Sequence, residues 1–247
     1  MRIIETDDFL PVKAAKRAPS SQPKHDLSDL DRAERTRLRA LRTAEQLFAE
    51  RGFNGVSMRE LAAAAQVNIA SIAYHFKSKE GLLSEVYRLH CEPMIRERLQ
   101  GLAASAKLKG KARIAAIIEA FVRPALRQVD VEGGQTFIRL RAVLSGENSE
   151  LLEKLVAENF DQSSTAFINA LCECLPSLSR TDICWRFHFL LGAIYYTAAG
   201  PHRIYAFSNH TCDPSDTEAV IRKLVPFMTQ AFCAPADAAR VSAKRSR

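Results

Sequence analysis

Apolar positions recur at helical spacing through most of the chain. In residues 33–51, Leu38, Leu41, Ala44, Leu47 and Phe48 fall on one face, three or four residues apart. Gly52 follows at once and suits the left-handed conformation that closes a helix. Ser57-Met58-Arg59-Glu60 has the S-x-x-E form of a capping box, so a second helix opens at Ser57, with Met58, Leu61, Ala62 and Ala65 as its apolar face. Gln66-Val67-Asn68 interrupts that pattern. Asn68 suits the N-cap of a short third helix, Ile69 to His75, with Ile72 and Phe76 spaced to face the core. Ser78 suits the cap of a long fourth helix from Lys79 to about Leu102. Five further helices are predicted at about 112–128, 135–146, 149–174, 180–199 and 215–233, punctuated by Pro176, Gly200-Pro201 and Pro214. Period-two alternation rich in Val, Ile and Thr does not occur, and the fold is predicted to be all-α.

Two short helices joined by a tight turn behind a longer support helix make a helix-turn-helix, whose second short helix enters the major groove of DNA. The pattern predicts an N-terminal three-helix helix-turn-helix domain over 32–90, its linking helix continuing to about 102. A larger helical domain over 103–233 follows. Residues 1–31 and 234–247 combine Pro, Ser, small residues and bases and are expected to be disordered arms.

Charge sharpens this division. The chain of 247 residues carries a net +7, and most of the excess lies in two places. Residues 32–90 hold 10 Lys/Arg against 6 Asp/Glu, and the last 14 residues hold 4 against 1. Residues 91–233, with 16 against 15, are nearly neutral. One part therefore suits a polyanion and the other does not. The first 31 residues lack the apolar core of a secretory signal, and the most apolar run, Phe187 to Gly200, is short for a membrane span and contains His188. A cytoplasmic protein with no membrane partner is expected. The six cysteines are scattered, and Cys172 and Cys174 form C-x-C rather than a zinc spacing, so neither metal nor cofactor is expected. No nucleophile elbow, Gly-rich phosphate loop or H-E-x-x-H motif is present, which argues against an enzyme.

In the predicted reading helix, Ala70, Ser71 and Ala73 are small or polar and let the backbone approach DNA closely. Lys79 falls in the first turn of a helix, where the macrodipole disfavours a cation by roughly 0.3–1 kcal/mol. A bound phosphate would reverse that cost; a solvated surface lysine is the alternative.

The stretch LRTAEQLFAERGFNGVSMRELAAAAQVNIASIAYHFKSKEGLLSEV, Leu41 to Val86, resembles the N-terminal domain of TetR-family transcriptional regulators. The matching pieces are AEQLFAERGF, S-x-R-x-L-A, A-x-V-N and Y-H-F-x-S-K-E-x-L, in that order. The resemblance implies a dimeric regulator of double-stranded DNA, reading a near-palindromic operator. It places Ser57 and Arg59 at a phosphate-contacting and base-contacting helix start. Asn68, Ile69, Ala70 and Ser71 open the recognition helix, Tyr74 and His75 touch the sugar-phosphate backbone, and Lys79 binds a phosphate. Ala73 departs from the pattern, standing where many members carry a tyrosine.

The same resemblance implies that the larger domain binds a small-molecule effector and that the last two helices form a homodimer interface. The segment Cys184 to Ala199 is apolar almost all round, and Val220, Leu224, Phe227, Met228 and Ala231 form a stripe on the last helix. Candidate effector contacts are Phe121, Phe137, Phe160, Phe167, Trp185 and Tyr195, with Arg139, Arg141 and His188 as polar groups. Each also reads as ordinary core or surface. Arg139 and Arg141 lie two apart, so at most one points inward. The effector is expected to be small and apolar, a fatty acid or acyl thioester, releasing a repressor from its operator. A regulator controlled by a protein partner or by cysteine oxidation is the alternative.

Overall fold

A computed structural model describes residues 32–199 and 201–236. Their helices are α1 (Arg32–Arg51), α2 (Met58–Ala65), α3 (Ile69–Phe76), α4 (Lys79–Ser105), α5 (Gly110–Arg127), α6 (Gly134–Glu147), α7 (Ser149–Cys174), α8 (Arg180–Ala199), α9 (Pro201–Phe207) and α10 (Thr217–Cys233). A 3-10 turn, Gln128–Asp130, joins α5 to α6. No strand occurs among the described residues. The N-terminal arm expected over 1–31, and all but the first three residues of the tail expected from 234, lie outside them. One element differs from the sequence pattern: α9 stands where Gly200-Pro201 suggested only a break. A proline in the first turn of a helix lacks an amide that would have no partner there anyway, so it starts this helix as readily as it ends another.

The helix-turn-helix forms a head and the later helices a larger body, but a single core runs between them. Leu41, Ala44 and Phe48 of α1 pack with Leu61 of α2, Ile72 and Phe76 of α3, and Leu82, Leu83 and Val86 of α4. The same cluster continues through Tyr87 to Phe137, Leu140 and Leu144 of α6 and to Leu155 and Phe160 of α7. α1 thus lies against α6 as well as its own neighbours in the head. A second cluster holds α5, α7, α8 and α10 together around Phe121, Phe167, Phe187, Val225 and Phe232.

The loop after α1 is gripped from two sides. Gly52 turns it with φ +77°, a conformation that costs a residue with a Cβ roughly 1–2 kcal/mol. Glu147, the last residue of α6, accepts the Phe53 and Asn54 amides at 2.7 Å each. From the other side the Lys79 ammonium, at the start of α4, donates to the Phe53 and Val56 carbonyls at 2.8 and 2.9 Å. It also stands 4.3 Å from the centroid of the Phe53 ring. A Cβ on Gly52 would lie 2.6 Å from the Glu147 carboxylate. Gly52→Ala should therefore lower stability by about 2 kcal/mol or more in denaturant melts, adding lost Glu147 bonds to the backbone strain. A change below about 0.5 kcal/mol, the range of an ordinary surface substitution, would show that the loop is not held in this way.

Candidate functional site

The head is built so that one face of α3 is locked inward and the other is left open. Ser57 and Glu60 form the capping box of α2: the Ser57 hydroxyl accepts the Glu60 amide at 3.2 Å, and the Glu60 carboxylate accepts the Ser57 amide at 2.8 Å. The hydrogen bond from Arg51, with the Ser57 amide next in weight, holds the Glu60 carboxyl well below its usual range, at about 2. Gln66 closes α2 in the left-handed conformation, and the Asn68 side chain caps α3 by accepting the Ala70 amide at 2.8 Å. One and two turns later, Ile72 and Phe76 are buried against the head core.

What remains outward on α3 is Ile69, Ala70, Ala73 and Tyr74, with Asn68 just before it. Tyr74 is 83% exposed, so it is not a core residue; Ser71 and His75 are half-buried. Arg59 is exposed on α2 and makes no ion pair among the described residues, unlike Arg51, which is tied to Glu60 and the Gly55 carbonyl. The result is an apolar and hydroxyl-bearing surface flanked by an unpaired guanidinium, suited to base edges and phosphates. Lys79 is placed differently. Two of its three ammonium hydrogens are already used on the α1–α2 loop, which leaves one for an anion.

Behind the head, a buried polar contact links α1 to the body. His90 Nε2 of α4 lies 2.9 Å from Glu45 Oε1 of α1, both side chains being 7% exposed. Gln128 Nε2 lies 3.0 Å from His90 Nδ1, while Glu45 Oε1 and His90 Nε2, though close, make no hydrogen bond. The His90 ring stacks on Phe137 of α6 at 4.4 Å.

Gln128 and Phe137 also line a cavity of about 300 Å³ in the body. Its walls come from α4 (Met94, Arg98), α6 (Ile138, Arg141, Ala142, Ser145), α7 (Leu152, Phe160) and α8 (Leu191, Ile194, Tyr195). Of the expected effector contacts, the cavity brings together Phe137, Arg141, Phe160 and Tyr195. It does not include the others. Phe121 and Phe167 pack edge to face in the second core, 5.0 Å apart. Arg139 is exposed on the opposite side of α6 from Arg141, as a spacing of two requires. Trp185 and His188 are exposed on α8.

Sequence reasoning missed Arg98, Gln128, Glu45 and Glu147. Arg98 and Glu45 were detectable in principle. Arg98 stands eight residues after His90 and four after Met94 on the buried stripe of α4, and Glu45 stands four after Leu41 on that of α1. A charge on an apolar stripe marks a buried polar contact.

Trp185 and His188 belong to a stripe that runs the length of α8 with Cys184, Phe189, Gly192 and Tyr196. Phe189 is 60% exposed, and Phe227 of α10 is 67% exposed. Met228, by contrast, is buried within the chain's own core, with Val220 and Leu224 packed against it. The cysteine thiols are all free, and burial pushes Cys91 up to about 12, which makes it inert. No helix among the described residues is long and apolar enough to cross a membrane, and no three of their His, Cys, Asp or Glu side chains gather as a metal site would require.

Residues 40–86 match the family described as bacterial regulatory proteins, tetR family, and residues 119–231 match the tetracyclin repressor-like C-terminal domain. The chain belongs to the TetR family. YttP of Bacillus subtilis (strain 168), named as an HTH-type transcriptional regulator, is 43% identical over 51 residues, which are 21% of this chain and a quarter (25%) of YttP. Among solved structures, a transcriptional regulator of Pseudomonas aeruginosa PAO1 matches with a TM-score of 0.58 at 15% identity, over 83% of this chain and 95% of that one. FadR of Bacillus subtilis, solved in complex with stearoyl-CoA, matches with a TM-score of 0.54 at 18% identity, over 76% and 97%. At such identities the structures speak for the fold alone.

The position of Lys79 gives a test with two separate readouts. Lys79→Ala should lower the melting temperature by releasing the loop. It should also weaken binding to all DNA sequences alike, flattening the salt dependence by about one unit of slope. A lowered melting temperature with an unchanged slope would leave Lys79 as a loop clamp with no phosphate.

Proposed function

We propose that this protein is a sequence-specific DNA-binding regulator of transcription that acts in the cytoplasm as a homodimer. In this reading a small effector in the body cavity releases it from its operator. The observation that carries the reading is the open face of α3. A helix fixed by Ile72 and Phe76 turns Ile69, Ala70, Ala73 and Tyr74 outward, beside the unpaired Arg59. Asn68, Ile69, Ala70 and Ser71 read base edges, Ser57, Tyr74, His75 and Lys79 hold the sugar-phosphate backbone, and Arg59 serves phosphate or guanine.

Homodimerisation rests on the exposed aromatic stripe of α8 together with Phe227 and Ala231 of α10. An apolar surface of this kind on two adjoining helices suits a four-helix contact across a two-fold axis. Release rests on the cavity. A ligand that binds the released geometry about 100-fold better supplies ~2.7 kcal/mol of coupling, and DNA weakens the ligand by the same factor. Ile138, Arg141, Ala142 and Ser145 of α6 line the cavity, and the same helix ends in Glu147 on the head loop. A ligand that shifts α6 therefore shifts the base of the helix-turn-helix. Of a fatty acid and an acyl thioester, a cavity of about 300 Å³ fits the acid better.

Footprinting should show a near-palindromic site bound by two chains, with half-site centres on the order of 10–11 bp apart. Phe227→Asp, placed at an exposed position, should turn the dimer into a monomer in sedimentation. It should also cost at least about tenfold in operator affinity, since one half-site cannot hold the protein alone. An asymmetric site bound by a monomer, or a Phe227→Asp protein that stays dimeric, would overturn the respective part of the reading.

A further inference from the structure

The cavity wall contains two arginines and no carboxylate. Arg98 enters from α4 and is 5% exposed. Its Nε donates to the Phe121 carbonyl at 3.0 Å, and its guanidinium lies over the Phe121 ring, 3.7 Å from the centroid. Both contacts are to neutral groups, and no acid pairs with it among the described residues. Burial, with a contribution from the Arg141 charge, pulls it down to about 10, so at neutral pH it remains a cation without a counter-ion. Isolated buried charges are rare because their desolvation is uncompensated.

Arg141 enters from α6, closer to the surface. It donates to the Tyr195 hydroxyl at 2.7 Å and lies 4.5 Å from the centroid of that ring. Behind it, outside the cavity wall, the buried Tyr87 hydroxyl lies beside the Arg141 guanidinium. Two guanidinium groups thus line the cavity with no carboxylate among its lining residues to accept from them. Phe137, Phe160, Ile138 and Ile194 make most of the remaining wall apolar.

Resting on the reading of this cavity as the effector site, we propose that the effector is a small amphiphilic carboxylic acid. Its carboxylate sits between Arg98 and Arg141, and its apolar body lies against Phe137, Phe160 and Ile194. The volume, at the small end for ligand pockets, suits a medium-chain acid and leaves out a nucleotide-bearing thioester. Arg98 is a binding residue for the head group. Its charge is kept in an apolar wall because the ligand neutralises it.

Calorimetric titration of the full chain without DNA tests this with four probes of one chain length: decanoate, decanol, decylamine and decanoyl-CoA. Decanoate should bind at one site per chain, at least about tenfold tighter than each of the others. Arg98→Met and Arg141→Gln should each weaken decanoate roughly 10- to 100-fold and leave decanol unchanged. Arg141→Gln lies nearer the surface and keeps a donor for Tyr195, so it tests the head-group site even should Arg98→Met unfold. Decanol or decanoyl-CoA binding as tightly as decanoate, or decanoate unaffected by Arg141→Gln, would overturn the carboxylate proposal. The effector-site reading would still stand where Ala142→Trp, which fills the cavity, blocks the probe that binds. If no probe binds, both fall.

Discussion

The arrangement depends on the contact between α1 of the head and α6 of the body. α1 buries Leu41, Ala44 and Phe48 in a cluster that reaches Phe137, Leu140 and Leu144 of α6. Two helices sharing one packed core cannot move independently, because interiors are close-packed and shift between discrete arrangements. The Glu147 carboxylate adds direction to this contact. It holds two successive amides of the α1–α2 loop, while Lys79 holds the carbonyls of the same loop from α4. The base of the helix-turn-helix is thereby suspended between the start of α4 and the end of α6.

Both helices also wall the cavity, and this gives a physical connection between the two sites. Phe137 faces the cavity and stacks on His90, and His90 meets Glu45 of α1. Gln128 touches the same histidine and the same cavity. Neither atom of the Glu45–His90 contact makes a hydrogen bond, so it adds little net stability and leaves two desolvated groups that gain from a rearrangement of their neighbours. The junction of α1, α4 and α6 is therefore sensitive to what occupies the cavity. The uncompensated Arg98 charge lies in that cavity's wall, where a change of charge or shape has the largest effect.

Much of this was legible in the sequence, and for a physical reason. The head is governed by local rules: the S-x-x-E box, the Asn68 cap and the 3.6-residue spacing of Leu41, Phe48, Ile72 and Phe76 each act within a few residues. The start of α9 at Pro201 is not legible in the sequence, because proline both ends helices and opens them. The functional wall of the body was harder to read. Aromatic residues at helical spacing look alike whether they face a cavity, as Phe137 and Phe160 do, a core, as Phe121 and Phe167 do, or solvent, as Trp185 does. Which applies depends on contacts between residues far apart in the chain, such as Arg98 with the carbonyl of Phe121 or Glu147 with the amide of Phe53. No local pattern encodes the partner in those pairs.

The coupling of head to body is tested most directly by native-state hydrogen exchange. If α1 and α6 open as one unit, their slowest amides exchange with the same opening free energy. Removing the carboxylate in Glu147→Ala then speeds exchange of the Phe53 and Asn54 amides about tenfold or more, in line with the loss of one hydrogen bond each. The contradicting result is a head whose α1 amides exchange through a separate, lower-energy opening, with Phe53 and Asn54 indifferent to Glu147. In that case the helix-turn-helix would be an independent module, and α6 could not carry a signal to it.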